Sequence, residues 1–252
     1  MINVLITGSH GFIGKNLINK LQHKNVNILE FNRSNTIDEL KELILKSDFI
    51  YHLAGEVRPK SSDKEFKESN VTLTKIIVDI LIENNKYIPI VLASSVHAQL
   101  LKNEYGRTKR ESEILIENYS KKDDTNCYIY RLPHVFGEGC KINYNSVIST
   151  WIYNSIKELE INIYDRDIKM NYVYVQDIVD EFVEKLEIIN NSLYQKPKNV
   201  FDTTLGESID YIVEFKNNIN NINYKIVNNE FKAKLFETYK DYYINLKEKD
   251  EE

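Results

Sequence analysis

Tyr105-Gly-Arg-Thr-Lys109 sets a phenol and an ammonium four positions apart. On a helix that spacing places both on one face. A cation beside a phenol favours the phenolate and lowers its pKa. A tyrosine tuned in this way can exchange a proton with an alcohol or ketone near neutral pH. Upstream, Thr7-Gly8-Ser9-His10-Gly11-Phe12-Ile13-Gly14 gathers three of the chain's 8 glycines. Gly8-x-x-Gly11-x-x-Gly14 lies between an apolar strand and a helix. Glycines there permit a tight turn and let backbone approach a pyrophosphate, which meets the positive end of the helix dipole. A plain strand-to-helix turn also uses glycine, and either motif alone is weak. Together, in this order, they imply nicotinamide-dependent redox work on a hydroxyl or carbonyl.

Two further places refine that chemistry. An acidic residue at the end of the second strand binds the ribose hydroxyls of NAD, whereas Arg favours the 2′-phosphate of NADP. Phe31-Asn32-Arg33-Ser34 occupies this region. Arg33 could clamp the phosphate and Ser34 could donate to it. Glu30 precedes the expected position, and Arg33 could instead be a solvated surface residue. NADPH/NADP is the favoured cofactor, with NAD as the alternative. Ser94-Ser95 end the fourth strand, where the crevice of an open parallel sheet lies. A serine hydroxyl there can hydrogen-bond a reacting oxygen, or merely cap the strand.

The elements that must carry these residues follow from the apolar pattern. Strands are predicted at Ile2–Thr7, Val26–Phe31, Phe49–Leu53, Ile88–Ala93 and Cys127–Arg131. Helices alternate with them, through Leu17 and Leu21, over Thr36–Lys46, over Val71–Asn85 and from Tyr105. The alternation implies an α/β fold, a Rossmann-type doubly wound parallel sheet. After Gly137 the rhythm changes. The expectation is a helix over Val147–Glu158, short strands at Ile161–Tyr164 and Asn171–Val175, and a helix over Asp177–Ile189. A last helix is expected near Phe231–Tyr243, with a frayed tail at Lys247–Glu252. The domain expectation is a dinucleotide-binding part over 1–137 and a smaller C-terminal substrate-binding lobe over 138–252, interleaved with the first.

These motifs together resemble the extended short-chain dehydrogenase/reductase superfamily, the NAD-dependent epimerase/dehydratase proteins. The match runs in order through the glycine loop, Asp48-x-x-x-His52-Leu53-Ala54-Gly55, Asn70-Val71, Ser94-Ser95, Tyr105-x-x-x-Lys109, Arg131-x-x-x-Val135-Phe136-Gly137 and Tyr172-Val-Tyr-Val-x-Asp177. A closer resemblance, to the reductase portion of the CapF/WbjC family of capsular-polysaccharide enzymes, lies in His52-Leu-Ala-Gly-x-x-Arg58-Pro59, Tyr128-Ile-Tyr-Arg131, Asn143-Tyr-Asn-Ser-Val-Ile148, Asn171-Tyr-Val173 and Asn199-Val-Phe-x-x-Thr-Leu-Gly-Glu207. That family reduces a UDP-2-acetamido-2,6-dideoxy-4-hexulose at C4 with NADPH. Its fuller members carry a C-terminal cupin domain that first epimerises C3, and this chain stops near where that domain would begin. The chain is then either a stand-alone reductase, with a separate C3-epimerase as its possible partner, or a part of a longer protein.

Carried over, the resemblance makes Tyr105 the proton donor and Lys109 the holder of the nicotinamide ribose. Ser95 becomes the group that fixes the carbonyl oxygen. It implies cofactor contacts at Gly8, His10, Gly11, Phe12, Ile13, Gly14, Asn32, Arg33, Ser34, Leu53, Ala54, Gly55 and Leu132. Substrate contacts fall on Asn143, Asn145, Ser146, His97 and His134, with Arg58 and Arg166 on the diphosphate. Each of these arginines could equally sit in a surface ion pair. His52 is expected to be a packed structural residue. Three departures from the family pattern stand out: His134 replaces an Asn, Met170 replaces a phosphate-binding Arg, and only ten positions separate Ser95 from Tyr105.

Composition narrows the alternatives. The 252 residues are 42% hydrophobic and 28% charged with net charge −5, a globular balance that disfavours nucleic-acid binding. No apolar run reaches a membrane span. Cys127 and Cys140 are the only cysteines, neither a disulfide framework nor a zinc pattern. No metal is expected. Met1 leads directly into a strand with no secretion signal, and the expected setting is cytoplasmic. A homodimer is expected, since helices like Val71–Asn85 and Tyr105–Lys121 pair across subunits in the enzymes it resembles. A 4,6-dehydratase would need an acidic pair after the serine, and Val96-His97-Ala98-Gln99 has none. A nucleotide-sugar 4-epimerase with tightly bound NAD stays open. A non-catalytic dinucleotide-binding protein would have lost Tyr105 or Lys109.

Overall fold

The computed structural model describes every residue except Pro59, Asn145, 188–191, 222–223, 227 and 252. In chain order the elements are β1 (Ile2–Thr7), α1 (Phe12–Leu21), β2 (Val26–Phe31), α2 (Ile37–Lys46), β3 (Phe49–His52), α3 (Asp63–Phe66), a π-helical stretch (Lys67–Thr72), α4 (Leu73–Glu83), β4 (Ile90–Ser95), α5 (His97–Leu100), α6 (Glu104–Ser120), β5 (Cys127–Leu132), β6 (His134–Phe136), α7 (Val147–Ile156), β7 (Lys169–Tyr174), α8 (Val175–Glu184), β8 (Tyr194–Gln195), β9 (Phe201–Thr204), α9 (Leu205–Asn218) and α10 (Glu230–Glu251). They form two compact units, one of Met1–Leu132 with Ile178–Pro197, the other of Pro133–Asp177 with Lys198–Glu252. Among the described residues no helix is long and apolar enough to cross a membrane.

The first unit is a six-stranded sheet in the order β2-β1-β3-β4-β5-β8, parallel at every pairing. Val4, Leu5 and Ile6, all of β3 and all of β4 are buried. Such unbroken burial marks strands covered by helices on both faces. Leu5, Ile50, Leu92 and Ile129 pack with Leu40, Ile44, Ile77, Leu81, Ile116 and Tyr119. α2 is started by a capping box in which Thr36 and Glu39 bond each other's backbone N–H. Strand order reverses between β1 and β3, where Thr7 registers against His52. The crevice of an open parallel sheet lies outside the carboxyl ends at such a reversal.

The helix expected over Val71–Asn85 begins eight residues earlier in the structure, at Asp63, behind a Ser62–Glu65 capping box, and ends at Glu83. The polar opening Asp63-Lys-Glu carries the cap rather than the apolar stripe, so the stripe alone misses it. A six-residue π-helical stretch, Lys67–Thr72, interrupts it.

The second unit has a three-stranded sheet, β6-β7-β9, parallel between β6 and β7 and antiparallel between β7 and β9. Its core is aromatic: Tyr172 and Phe231 stack at 5.8 Å, and Phe136 meets Phe231 edge-on at 5.5 Å. The strand expected at Ile161–Tyr164 is not formed. Tyr164 is fully exposed, while Ile161 and Ile163 only pad the aromatic cluster. The ladder position beside β7 belongs to β9 instead. α9, missed in the sequence, follows β9 directly, with Thr204 accepting from the Glu207 N–H at 3.1 Å as its cap. α8 starts at Val175, not Asp177, and ends at Glu184; the expected end at Ile189 lies outside the described residues. The tail from Lys247 continues α10 to Glu251 rather than fraying.

Candidate active site

The glycine loop is built by backbone contacts that only glycine allows. Gly8 has φ +72°, and a Cβ there would stand 2.8 Å from the Ala54 nitrogen. A Cβ on Gly14 would collide with the Gly8 carbonyl oxygen. Gly8 N and Ser9 N both donate to the Phe31 carbonyl, at 2.8 and 3.3 Å, which fastens the loop to the end of β2. Gly11 caps α1 with no side-chain bond, so the first-turn N–H groups keep their capacity for an anion. The Ser9 hydroxyl is buried and has no hydrogen-bond partner among the described residues. This cradle and its orphaned hydroxyl fit a dinucleotide pyrophosphate. Phe12 and Ile13 are half-buried, while exposed His10 lies 3.9 Å from the Glu30 carboxylate. Gly14→Ala should abolish dinucleotide binding by calorimetry, since the clash is with backbone that cannot swing aside; unchanged affinity would contradict the cradle.

At the end of β2 the Asn32 side-chain Oδ1 accepts from the Ser34 backbone N–H and hydroxyl, at 3.0 and 2.7 Å. The Ser34 hydroxyl, expected to face a phosphate, is therefore engaged by the turn. Arg33 is exposed, with one Nη 2.8 Å from the Glu56 carboxylate.

The turn after β3 completes the floor. Leu53 N donates to the Thr7 carbonyl and Ala54 N to its hydroxyl, both at 3.2 Å. A Cβ on Gly55 would stand 2.8 Å from Asn70 Oδ1 and 3.0 Å from Lys109 Nζ. Asn70, from the π-helical stretch, is the joint of this region. It accepts from Glu56 N at 2.9 Å and donates to Thr108 Oγ1 at 3.2 Å. Its own carbonyl takes the Thr74 and Ser112 hydroxyls, both at 2.6 Å. π-Helical turns often mark functional sites.

His52 is packed and structural, as expected. Its Nδ1 lies 2.7 Å from the Thr7 hydroxyl and its Nε2 2.8 Å from the Thr74 hydroxyl. The Thr74 hydroxyl already donates to Asn70, so it receives the Nε2–H, which sets the tautomer. Burial, then the Lys109 charge, push the His52 pKa down to about 3 from 6.5. The folded state therefore holds His52 neutral, and its contribution is whole above the unfolded pKa and declines as pH falls from about 6.5 towards about 3. Denaturant melts at about pH 7.5 and about pH 5 should show a smaller acid loss in His52→Gln than in the parent; an equal loss would refute this.

Ser95 ends β4 in register with Leu132, which ends β5. The Ser95 Oγ accepts from His97 N at 3.2 Å. The ten-residue span to Tyr105 holds the short helix α5, whose His97 carbonyl is crossed closely by α6 at Gly106. Asn103 caps α6 by accepting from Gly106 N at 2.8 Å. Tyr105, in the first turn, has its ring between Phe66 and His97, at 5.9 and 5.7 Å. The Lys109 ammonium, one turn on, is only 5% exposed and donates to the Ala93 carbonyl at 2.9 Å.

The expected tuning of the phenol differs in the structure. Burial raises the Tyr105 pKa, and the hydrogen bond from Ser95, not the Lys109 charge, opposes it. Lys109 is itself desolvated, which lowers its pKa to about 8 against the opposing charge of Glu113. Its head donates to the Ala93 carbonyl, so the helical spacing aligns the two residues without letting the cation dominate the phenol.

Glu113, a residue that sequence did not single out, holds this group in place. It is 0% exposed and accepts from Ser94 at 2.6 Å, Arg131 at 2.9 and 2.7 Å and Arg110 at 3.0 Å. α6 is thus tied to β4 and β5 at once. Burial pushes the Glu113 carboxyl up, but these donors outweigh it and keep it ionised.

The remaining candidates are placed as follows. Arg58, in the first unit, pairs with Glu56. His134, Asn143, Ser146 and Arg166 belong to the second unit. His134 opens β6 beside the Tyr172 ring at 5.9 Å. Asn143 has φ +54°, and Ser146 caps α7. Arg166 is bound by both Asp210 oxygens at 2.7 Å. For Arg58 and Arg166 an ion pair, the alternative weighed from the sequence, is the contact each makes. Asn145 lies outside the described residues.

The sequence profile of the NAD dependent epimerase/dehydratase family matches residues 4–196. The chain is 32% identical over 240 residues to the UDP-2-acetamido-2,6-beta-L-arabino-hexul-4-ose reductase of Pseudomonas aeruginosa, covering 94% of this chain and 64% of that protein. It is 24% identical over 266 residues to the dTDP-4-dehydro-6-deoxyglucose reductase of Escherichia coli, covering 85% of this chain and 82% of that one. Among solved structures, the capsular polysaccharide assembling protein CapF of Staphylococcus aureus superposes with a TM-score of 0.84 at 37% identity, covering 96% of this chain and 65% of that one. The chain spans less than two thirds of the length of the Pseudomonas and Staphylococcus proteins.

Proposed function

The chain belongs to the NAD dependent epimerase/dehydratase family, and from that premise we propose that it reduces the C4 ketone of a UDP-2-acetamido-2,6-dideoxy-4-hexulose with NADPH. The observation that carries this is the joining of Ser95, Tyr105 and Lys109 with the glycine cradle in one unit. Ser95 opposes the burial that raises the Tyr105 pKa, and the Lys109 ammonium stands against Gly55. The names of the Pseudomonas and Escherichia relatives support a 4-keto sugar as substrate.

A nicotinamide cofactor held on the Gly8–Gly14 loop would supply the hydride for the carbonyl carbon. Ser95 hydrogen-bonds the carbonyl oxygen and fixes it for attack. Tyr105, protonated at neutral pH because burial raises its pKa, donates the proton that the developing alkoxide takes up. Lys109, buried and cationic below about pH 8, stabilises the negative charge that forms. A carboxylate that could take the C5 proton for dehydration does not follow Ser95, where α5 reads His97-Ala-Gln-Leu.

The test is NADPH consumption with this keto-sugar, with and without a separate C3-epimerase. Consumption in either arm supports reduction. Interconversion of C4 epimers with no net consumption would replace it with a 4-epimerase holding NAD.

A further inference from the structure

Glu56 is a carboxylate in the turn after β3 that is only 1% exposed. Asn70 grips its backbone from both sides, accepting from its N–H at 2.9 Å and donating to its carbonyl at 3.3 Å. One carboxylate oxygen takes the N–H of Val57 at 3.0 Å, that of Arg58 at 2.8 Å and Arg58 Nε at 2.9 Å. The other takes Arg58 Nη2 and Arg33 Nη2, both at 2.8 Å. The two guanidinium nitrogens share one oxygen, so they lie no farther apart than twice that distance. Arg58 also reaches Glu65 at 3.5 Å, although the other Glu65 oxygen is engaged by Ser62.

The two arginines are not equivalent. Arg58 is held along its length. Arg33 is 72% exposed and spends one of its donors on Glu56; a guanidinium has five. Phe31, two residues before Arg33, accepts the Gly8 and Ser9 N–H groups. The cluster therefore sits at the strand end to which the glycine loop is tied, where the adenosine ribose of a dinucleotide belongs in this fold.

We propose that Arg33 and Arg58, paired on the buried Glu56, form a preset guanidinium clamp for the 2′-phosphate of the cofactor's adenosine ribose. Glu56 is its positioning residue. This rests on the NADPH reading and moves Arg58 from the substrate diphosphate to the cofactor. Arg33 takes the phosphate monoester through its uncommitted fork. Arg58 supplies the second cation, and Glu56 stops the two guanidinium groups from repelling each other apart. Such preorganisation adds affinity by cutting the ordering cost of a long side chain.

The test is calorimetric binding of adenosine 2′,5′-bisphosphate and of adenosine 5′-monophosphate, two fragments that need no turnover. The parent should favour the bisphosphate. Arg58→Ala and Glu56→Gln should each lower that preference roughly tenfold with the monophosphate unchanged, the scale of a lost charge-assisted contact. The sign is diagnostic for Glu56→Gln. It raises the local positive charge, so simple attraction predicts a stronger preference where positioning predicts a weaker one. A preference kept or increased in both variants overturns the proposal. If Glu56→Gln does not fold, Arg58→Ala, at a half-exposed side chain, decides alone. A parent without any preference for the bisphosphate would instead remove the NADPH reading beneath it.

Discussion

Tyr105→Phe should reduce turnover by about 10²–10⁴-fold, the range for losing a positioned proton donor, while cofactor affinity stays within about threefold of the parent. The substitution removes one hydroxyl and little else. The phenylalanine ring keeps its contacts with Phe66 and His97, and α6 keeps its cap at Asn103. What disappears is the proton next to Ser95. Because burial holds that proton on the phenol at neutral pH, the parent enters the cycle as an acid, the form a ketone reduction requires. Stopped-flow turnover beside calorimetric cofactor binding separates the two effects. An active variant would remove Tyr105 from the chemistry, and loss of cofactor binding would make its role structural.

Glu113→Ala should cost about 3–5 kcal/mol, the scale for stripping one partner from a buried ion pair. In a chain of this size that lowers the melting temperature by on the order of 10 °C. The carboxylate is fully buried and its donors come from four elements, so its loss leaves the Ser94 hydroxyl and the Arg131 guanidinium without their carboxylate acceptor, and leaves Arg110 and Tyr194 only Glu117. Arg131 also lies over the Tyr194 ring at 4.3 Å, and Tyr194 bonds Glu117, so the disturbance reaches β8. Glu113→Gln keeps the shape and one acceptor and should fall between. A melt of Glu113→Ala within about 2 °C of the parent would show that water or Glu117 substitutes for the carboxylate.

These two residues mark the boundary of what the sequence discloses. Tyr105 and Lys109 were legible because helical spacing is local, and the glycine cradle because its turn lies within one strand and one helix. Strands β1, β3, β4 and β5 were legible because burial on both faces leaves largely apolar runs. Glu113 was not. It stands among Glu111, Ser112 and Glu117 on a polar stretch of α6, and only the arrival of Ser94 and Arg131 from other strands tells which carboxylate is buried. Glu56 was hidden likewise, since a buried acid in a turn leaves no periodic trace, and neither does the π-helical stretch that carries Asn70. β9 lost to Ile161–Tyr164 because both are short, and pairing with β7 is decided in three dimensions. The tuning of Tyr105 erred for a related reason: spacing reports which face a side chain leaves from, not which acceptor it finds.

The central claim is that hydride passes to the carbonyl carbon of a nucleotide-linked 4-keto sugar while Tyr105 provides the proton. Its most direct measurement uses NADPH deuterated at nicotinamide C4 with UDP-2-acetamido-2,6-dideoxy-4-hexulose, followed by NMR of the sugar. The account predicts deuterium at sugar C4 and one equivalent of cofactor oxidised for each sugar reduced, with both slowed by about 10²–10⁴-fold in Tyr105→Phe. A sugar product with unlabelled C4, formed while the cofactor remains reduced, would contradict it.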